Sequence, residues 1–79
     1  MQDNTVHFAS IGMKDISANA SLPAKFQRML DKYPLKDMFG GRRTAIKMHV
    51  GGNMGYTTIH PLFVRLLVEK LREAGADPF

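Results

Sequence analysis

The sequence predicts an α/β fold, and three observations carry that reading. Apolar and polar residues alternate in two short stretches, apolar residues recur at helical spacing in two longer ones, and the two kinds of stretch take turns along the chain. Strand, helix, strand, helix in that order is the pattern of a parallel sheet with a right-handed crossover. Two short strands alone do not make a parallel sheet of ordinary stability, because such sheets are covered on both faces and usually hold more strands. The 79 residues are therefore expected to form a βαβα N-terminal fragment of a larger parallel-sheet layered domain, one partial domain spanning 1–79. The alternative is a complete small domain that assembles through its sheet edges.

Taken in order, Thr5 to Ala9 puts Val6 and Phe8 on one face and His7 and Ala9 on the other, which predicts a first strand. Ser10 to Ala20 is rich in Ser, Gly, Asn and Asp and has no sustained period, so it reads as a loop. Ser21 is a good N-cap, Pro23 is tolerated in a first turn, and Leu22, Phe26, Met29, Leu30 and Tyr33 recur at helical spacing. Pro34 ends that helix, because proline disfavours the α conformation in the residue before it. Leu35 to Phe39 predicts one further turn, and Gly40-Gly41 releases the chain toward a second strand over Arg43 to Val50, where Ile46, Met48 and Val50 alternate with Lys47 and His49.

From Pro61 the period changes again. Val64, Leu67, Val68 and Leu71 make an apolar stripe widened by Phe63 and Leu66, while Arg65, Glu69, Arg72 and Glu73 take the opposite side. Gly75 stands where a left-handed C-cap belongs, and Ala76 to Phe79 reads as the turn into a third strand. The first two strands are expected to lie parallel and adjacent, with Phe26, Met29, Leu30, Val64, Leu67 and Leu71 packed on them. An apolar edge should stay open near Phe79.

Composition narrows the function classes. Hydrophobic residues make up 44% and charged residues 23%, ordinary globular values that exclude a disordered chain. There is no cysteine, so neither a disulfide nor a thiolate metal site can staple the fold, and this chain cannot ligate an iron–sulfur cluster by itself. That composition fits the cytoplasm. No apolar run is long enough for a membrane span, and MQDNTVHFAS lacks the basic and apolar regions of a secretory signal. The formal charge of +4 would favour anionic partners, but the basic residues are scattered and only Arg42-Arg43 is a pair, so nucleic acid is not an expected partner.

Most of the residues able to do chemistry sit between Lys47 and His60. In open parallel sheets, ligands bind beyond the carboxyl ends of the strands, and Gly51 to Thr58, GGNMGYTT, is expected there. Candidate ligand-binding residues are Lys47, His49, Gly51, Gly52, Asn53, Gly55, Thr57, Thr58 and His60. Lys47 and His49 share a strand face, while Thr57, Thr58 and His60 lead into a helix whose first N–H groups are expected to be unpaired and partly positive, which would suit an anionic group. The loop matches neither G-x-G-x-x-G nor G-x-x-x-x-G-K-[ST], and it serves equally as a tight connection. Lys47 could act as a base, clamp an anion or simply extend its ammonium into water. A metal site would need His49 and His60, with His7, Asp15 or Asp37 completing it. The methionines Met13, Met29, Met38, Met48 and Met54 read as apolar filler.

AIKMHVG followed by GNMGYTTIHPLFVRLLVEKLREAGADPF closely resembles the opening of the prokaryotic family called domain of unknown function 362, and VHFAS with SLPAKFQRMLDKY resembles that family's start. Members show a K-x-H-x-G strand end, a G-N-hydroxyl loop, an x-P-x-[FL]-V-R helix and an A-G-A-x-P-F exit. Gly52 departs from them, standing where members more often have an acidic residue. The resemblance implies a longer α/β protein, a redox or metal-linked role, and, in some members, iron–sulfur motifs further along. The unfinished sheet implies as partners the remainder of a longer chain or self-association, and the loop a small anionic ligand. A second function class competes, a small interaction module that pairs through its sheet edge and binds an acidic partner or polyanion through Arg42, Arg43 and Lys47.

Overall fold

The computed structural model describes residues 4–49, 51–53 and 58–79; the expectations made for Val50, Met54, Gly55, Tyr56 and Thr57 lie outside the described residues. After an extended N-terminal segment and a 3-10 turn at Ala18–Ala20 come α1 (Leu22–Leu30), α2 (Leu35–Phe39), β1 (Arg43–Thr44), α3 (Pro61–Glu73) and β2 (Asp77–Pro78). The helices start where their sequence punctuates them, but α1 stops at Leu30, capped by Asp31, and not at Pro34, which opens α2. Ser21 Oγ accepts the Ala24 N–H at 3.4 Å, with Pro23 in the first turn of α1. At the other end of α3, Gly75 has φ +87°, the Gly75 N–H reaches the Arg72 carbonyl at 3.0 Å, and the Ala76 N–H reaches Leu71 at 2.9 Å. That pair of bonds is a Schellman cap, which turns the chain sharply into β2.

The α/β layered reading is corrected by this arrangement. Three helices and one two-stranded parallel sheet are present among the described residues, so the chain is mostly helix and loop and not a layered domain built on a sheet. β1 pairs with β2, Arg43 opposite Asp77 and Thr44 opposite Pro78. The ladder runs slightly beyond the strands: Asp77 donates to Arg42 at 2.9 Å, Phe79 to Thr44 at 3.0 Å, and Ile46 to Phe79 at 2.8 Å. The strand expected over Arg43–Val50 is Arg43–Thr44 among the described residues. Along this pair Thr44, Ile46 and Pro78 are half-buried toward the helices, while Arg43, Ala45, Asp77 and Phe79 are exposed on a bare face. A layered parallel sheet would have had both faces covered.

Thr5–Ala9 is not a strand. It lies along α1 with Val6, Phe8 and Ala9 beside Met29, and the His7 ring meets Tyr33 edge-on at 5.2 Å. Alternation survives, since His7 and Ala9 are half-buried and Val6 and Phe8 exposed, but the apolar side faces out. The anchor is electrostatic. Lys25 Nζ donates to the carbonyls of Ser10 at 2.7 Å and Gly12 at 2.6 Å, tying the end of the segment to the helix. The parallel pairing expected between the first and second strands is therefore replaced by pairing of the second with the third.

The core gathers around α3, whose Leu66 and Leu71 are buried together with Ala76. Phe26 of α1 packs edge-to-face on Phe63, with centroids 5.4 Å apart, and the Lys70 ammonium reaches the Asp31 carboxylate at 2.7 Å. Gly40 closes the back of the unit. A Cβ there would lie 2.4 Å from the Lys36 carbonyl oxygen and 3.1 Å from that of Ala74, a space only glycine fits. The whole is loosely folded for its size. Its accessible surface is 6549 Å², against about 4,800 Å² for a compact chain of this mass.

Candidate functional site

A cleft of about 480 Å³ opens between the chain leaving β1 and the first turns of α3. Ile46 and Met48 form one wall, Phe26 of α1 another, and Ile59, Phe63, Val64 and Leu67 the third. Three polar side chains line it as well, Lys47, Thr58 and His60. Its volume falls in the range of small-molecule sites, and so does its make-up, an apolar lining with a few polar groups.

The structure brings together part of the predicted constellation. Lys47, Thr58 and His60 share the cleft; His49, although two residues from Lys47, is exposed and does not line it. Gly51 is buried with φ +83°, Gly52 is exposed with φ +50°, and Asn53 is exposed. None of these three lines the cleft. Gly55 and Thr57 fall outside the described residues. Phe26, Phe63 and Val64, read from the sequence as core, are half-buried cleft walls instead, and Ile59 had drawn no assignment. The only sequence signal for them was apolar spacing, which marks a core and a ligand wall alike.

His60 sets the chemistry at the start of α3. Its Nδ1 accepts the Leu62 N–H at 3.1 Å, and its carbonyl accepts the Phe63 N–H at 3.0 Å. Pro61 has no N–H to offer. The expectation of unpaired donors at this helix start is therefore corrected: the first turn is capped by its own histidine, leaving little for an anion to bind. A ring whose Nδ1 accepts must, when neutral, carry its proton on Nε2, so His60 presents a donor outward. Neither nitrogen then has a free lone pair for a metal. His7 is occupied at Tyr33, and no group of three or more His, Asp or Glu residues placed to hold a metal exists among the described residues.

Lys47, like Arg42, differs from Arg43. It is exposed and makes no ion pair with any described residue, whereas Arg43 lies 3.8 Å from Asp77 and 4.5 Å above the Phe79 ring. An apolar trough with an unneutralised ammonium and two uncharged polar groups can hold an amphipathic molecule with an acidic end. No helix among the described residues is long and apolar enough to cross a membrane. No family model, curated protein or solved structure matches the chain.

Proposed function

We propose that the chain is a small binding module whose cleft takes an apolar molecule ending in a carboxylate or similar anion. The observation that carries this is the convergence of Lys47, Thr58 and His60 on one trough whose remaining walls are all apolar. The apolar body would lie against Phe26, Phe63, Val64 and Leu67. Its anionic end would meet Lys47, with the Thr58 hydroxyl and His60 Nε2–H as neutral donors. Burying a chain of methylenes contributes about 0.8 kcal/mol for each one fully removed from water. The charge-assisted bond adds roughly 1.5–3 kcal/mol. The family resemblance would place this cleft in a redox or metal-linked protein, with any iron–sulfur cluster held by cysteines that this chain lacks.

The test pairs a ligand with its uncharged analogue. Titrating the chain with dodecanoate and with dodecanol, followed by amide NMR, should shift Phe63, Val64 and Leu67 in both cases. Lys47→Ala should weaken dodecanoate about tenfold and leave dodecanol nearly unchanged. Equal loss for both, or no shift along α3, would reject the reading.

One observation favours a second reading, the interaction module. Residues 42, 44 and 46 bond to β2, so 43, 45 and 47 face the other edge of β1, and the main chains of Ala45 and Lys47 have no hydrogen-bond partner among the described residues. Pro78 lacks a donor on the outer edge of β2, so β1 is the edge open to an added strand. An acidic extended peptide that shifts the Ala45 and Lys47 amides, while leaving Phe63 unmoved, would favour this reading over the cleft.

A further inference from the structure

A second groove, about 440 Å³, runs between residues 6–10 and α1. Lys25 and Arg28 line it from α1, Lys32 from the turn that follows, His7 from the segment, and no carboxylate does. Lys25 and Arg28 stand at i and i+3 on α1, where like charges destabilise one another, and Lys32 follows in the turn after its cap. No acid among the described residues forms an ion pair with them, although Asp15 lines an adjoining pocket with Lys25 and Arg28. Asp31, which caps α1, is held by Lys70 at 2.7 Å, and the two other ion pairs among the described residues join Arg43 to Asp77 and Arg65 to Glu69. Asp15, in the neighbouring loop, accepts the Ser17 N–H at 2.8 Å, and hydrogen bonding from Ser17 holds its carboxyl below the ordinary aspartate range. Lys25 is fixed by its bonds to Ser10 and Gly12, with one ammonium hydrogen to spare. The main chain of residues 6–9 has no backbone hydrogen bond among the described residues.

We propose that this groove is a binding site for a phosphate group. A site lined by three cations and no carboxylate matches an anion with more than one negative charge, and the Arg28 guanidinium offers the planar fork that phosphate oxygens accept. The phosphate could belong to a soluble polyphosphate or to a phospholipid headgroup. The groove's border bears on this choice. Phe8 is 88% and Ile16 100% exposed, and Val6 and Ile11 are nearly as bare, so a lipid headgroup would bring these side chains against acyl chains.

The experiment uses the whole chain and two probes. Calorimetry and amide NMR with inorganic pyrophosphate should show binding that shifts Phe8 to Ser10 and Lys25 to Lys32. The pair Arg28→Glu with Lys32→Glu should weaken it at least tenfold. The pair Lys36→Glu with Arg72→Glu, exposed positions with the same change in net charge, should weaken it less than threefold. Flotation with phosphatidylserine-containing and pure phosphatidylcholine vesicles identifies the source. Capture by the anionic vesicles alone, lost in Phe8→Ala with Ile16→Ser although pyrophosphate affinity persists, assigns a lipid headgroup; pyrophosphate binding without capture assigns a soluble ligand. Absence of a pyrophosphate response, or equal loss in the two charge-reversed pairs, overturns the site.

Discussion

From Gly40 to Phe79 the backbone closes on itself, whereas from Asn4 to Ser21 it is laid against the rest by side chains. In the first region Gly41 donates to Gly75 at 2.9 Å, the ladder of β1 and β2 follows, and the Schellman cap joins the end of α3 to the sheet around buried Leu71. In the second, an edge-on contact between His7 and Tyr33 and one lysine on two carbonyls hold an extended segment whose apolar side faces water. Buried apolar contact excludes water and ties many groups at once. A pinned lysine orients a segment but removes little surface. The difference places an apolar cleft on the well-tied region and a charged groove on the loosely held one.

The sharpest way to break this comparison is to truncate one side chain in each region. Leu71, 3% exposed, should cost about 2–5 kcal/mol as Leu71→Ala. In a chain with so small a core that is enough to abolish cooperative urea unfolding. Ile16→Ala, at a fully exposed position, should stay within about 0.5 kcal/mol of the parent. Comparable losses at the two positions would mean that the N-terminal segment is packed after all.

Backbone geometry gives the next largest contrast. Gly75→Ala forces a Cβ onto φ +87° and should lower stability by about 1–2 kcal/mol. Gly12→Ala should be tolerated, since a Cβ there meets only the Ser10 hydroxyl at 3.4 Å. Thermal melts of the two variants check the order.

The caps come third. His60→Ala removes the acceptor for Leu62 and should cost about 1 kcal/mol, with Ser21→Ala costing less because its bond to Ala24 is 3.4 Å long. Helicity measured by circular dichroism should fall more in the first variant.

The smallest effect belongs to Lys70 and Asp31, which join α3 to the end of α1. Asp31→Asn should cost at most about 1 kcal/mol, because the carboxylate side is well exposed. The Asp31 hydrogen bond raises the Lys70 pKa above its usual 10.5. A group whose folded pKa is raised stabilises fully below the unfolded value and loses that contribution as pH rises through the folded one. The Lys70 contribution should therefore be fully present and independent of pH near neutrality and be lost only above about pH 10.5, a loss that Lys70→Met should abolish.

Much of the helical part was legible because its signals are local. Ser21, the stripe from Phe63 to Leu71 and Gly75 each act within a turn or two of themselves and stand where the sequence implied, whereas the first helix stops at Leu30, short of Pro34, which starts the second. Strand identity depends on a partner, which periodicity does not name. Thr5–Ala9 alternates as a strand would, yet the pull of Lys25 on Ser10 and Gly12 lays it on α1, and Asp77 to Phe79 take the edge of Arg43 to Ile46. The cleft was half legible for the same reason. Lys47, Thr58 and His60 stood out as polar groups near a glycine loop, whereas the apolar walls looked like core, and the capping role of His60 required a distance that no spacing supplies.

The charged groove, and with it the contrast between the two regions, rests on where residues 6–10 lie, so the most direct measurement is amide exchange and nuclear Overhauser contacts across that segment in the labelled chain. The account predicts a contact between the His7 and Tyr33 rings, rapid exchange of the Val6 to Ala9 amides, and slow exchange of Leu71, Ala76 and Phe79. Contacts from Val6 or Phe8 to the Ala45 and Lys47 backbone, with amides in residues 6–9 protected as strongly as Phe79, would put the segment on the open edge of β1 and contradict it.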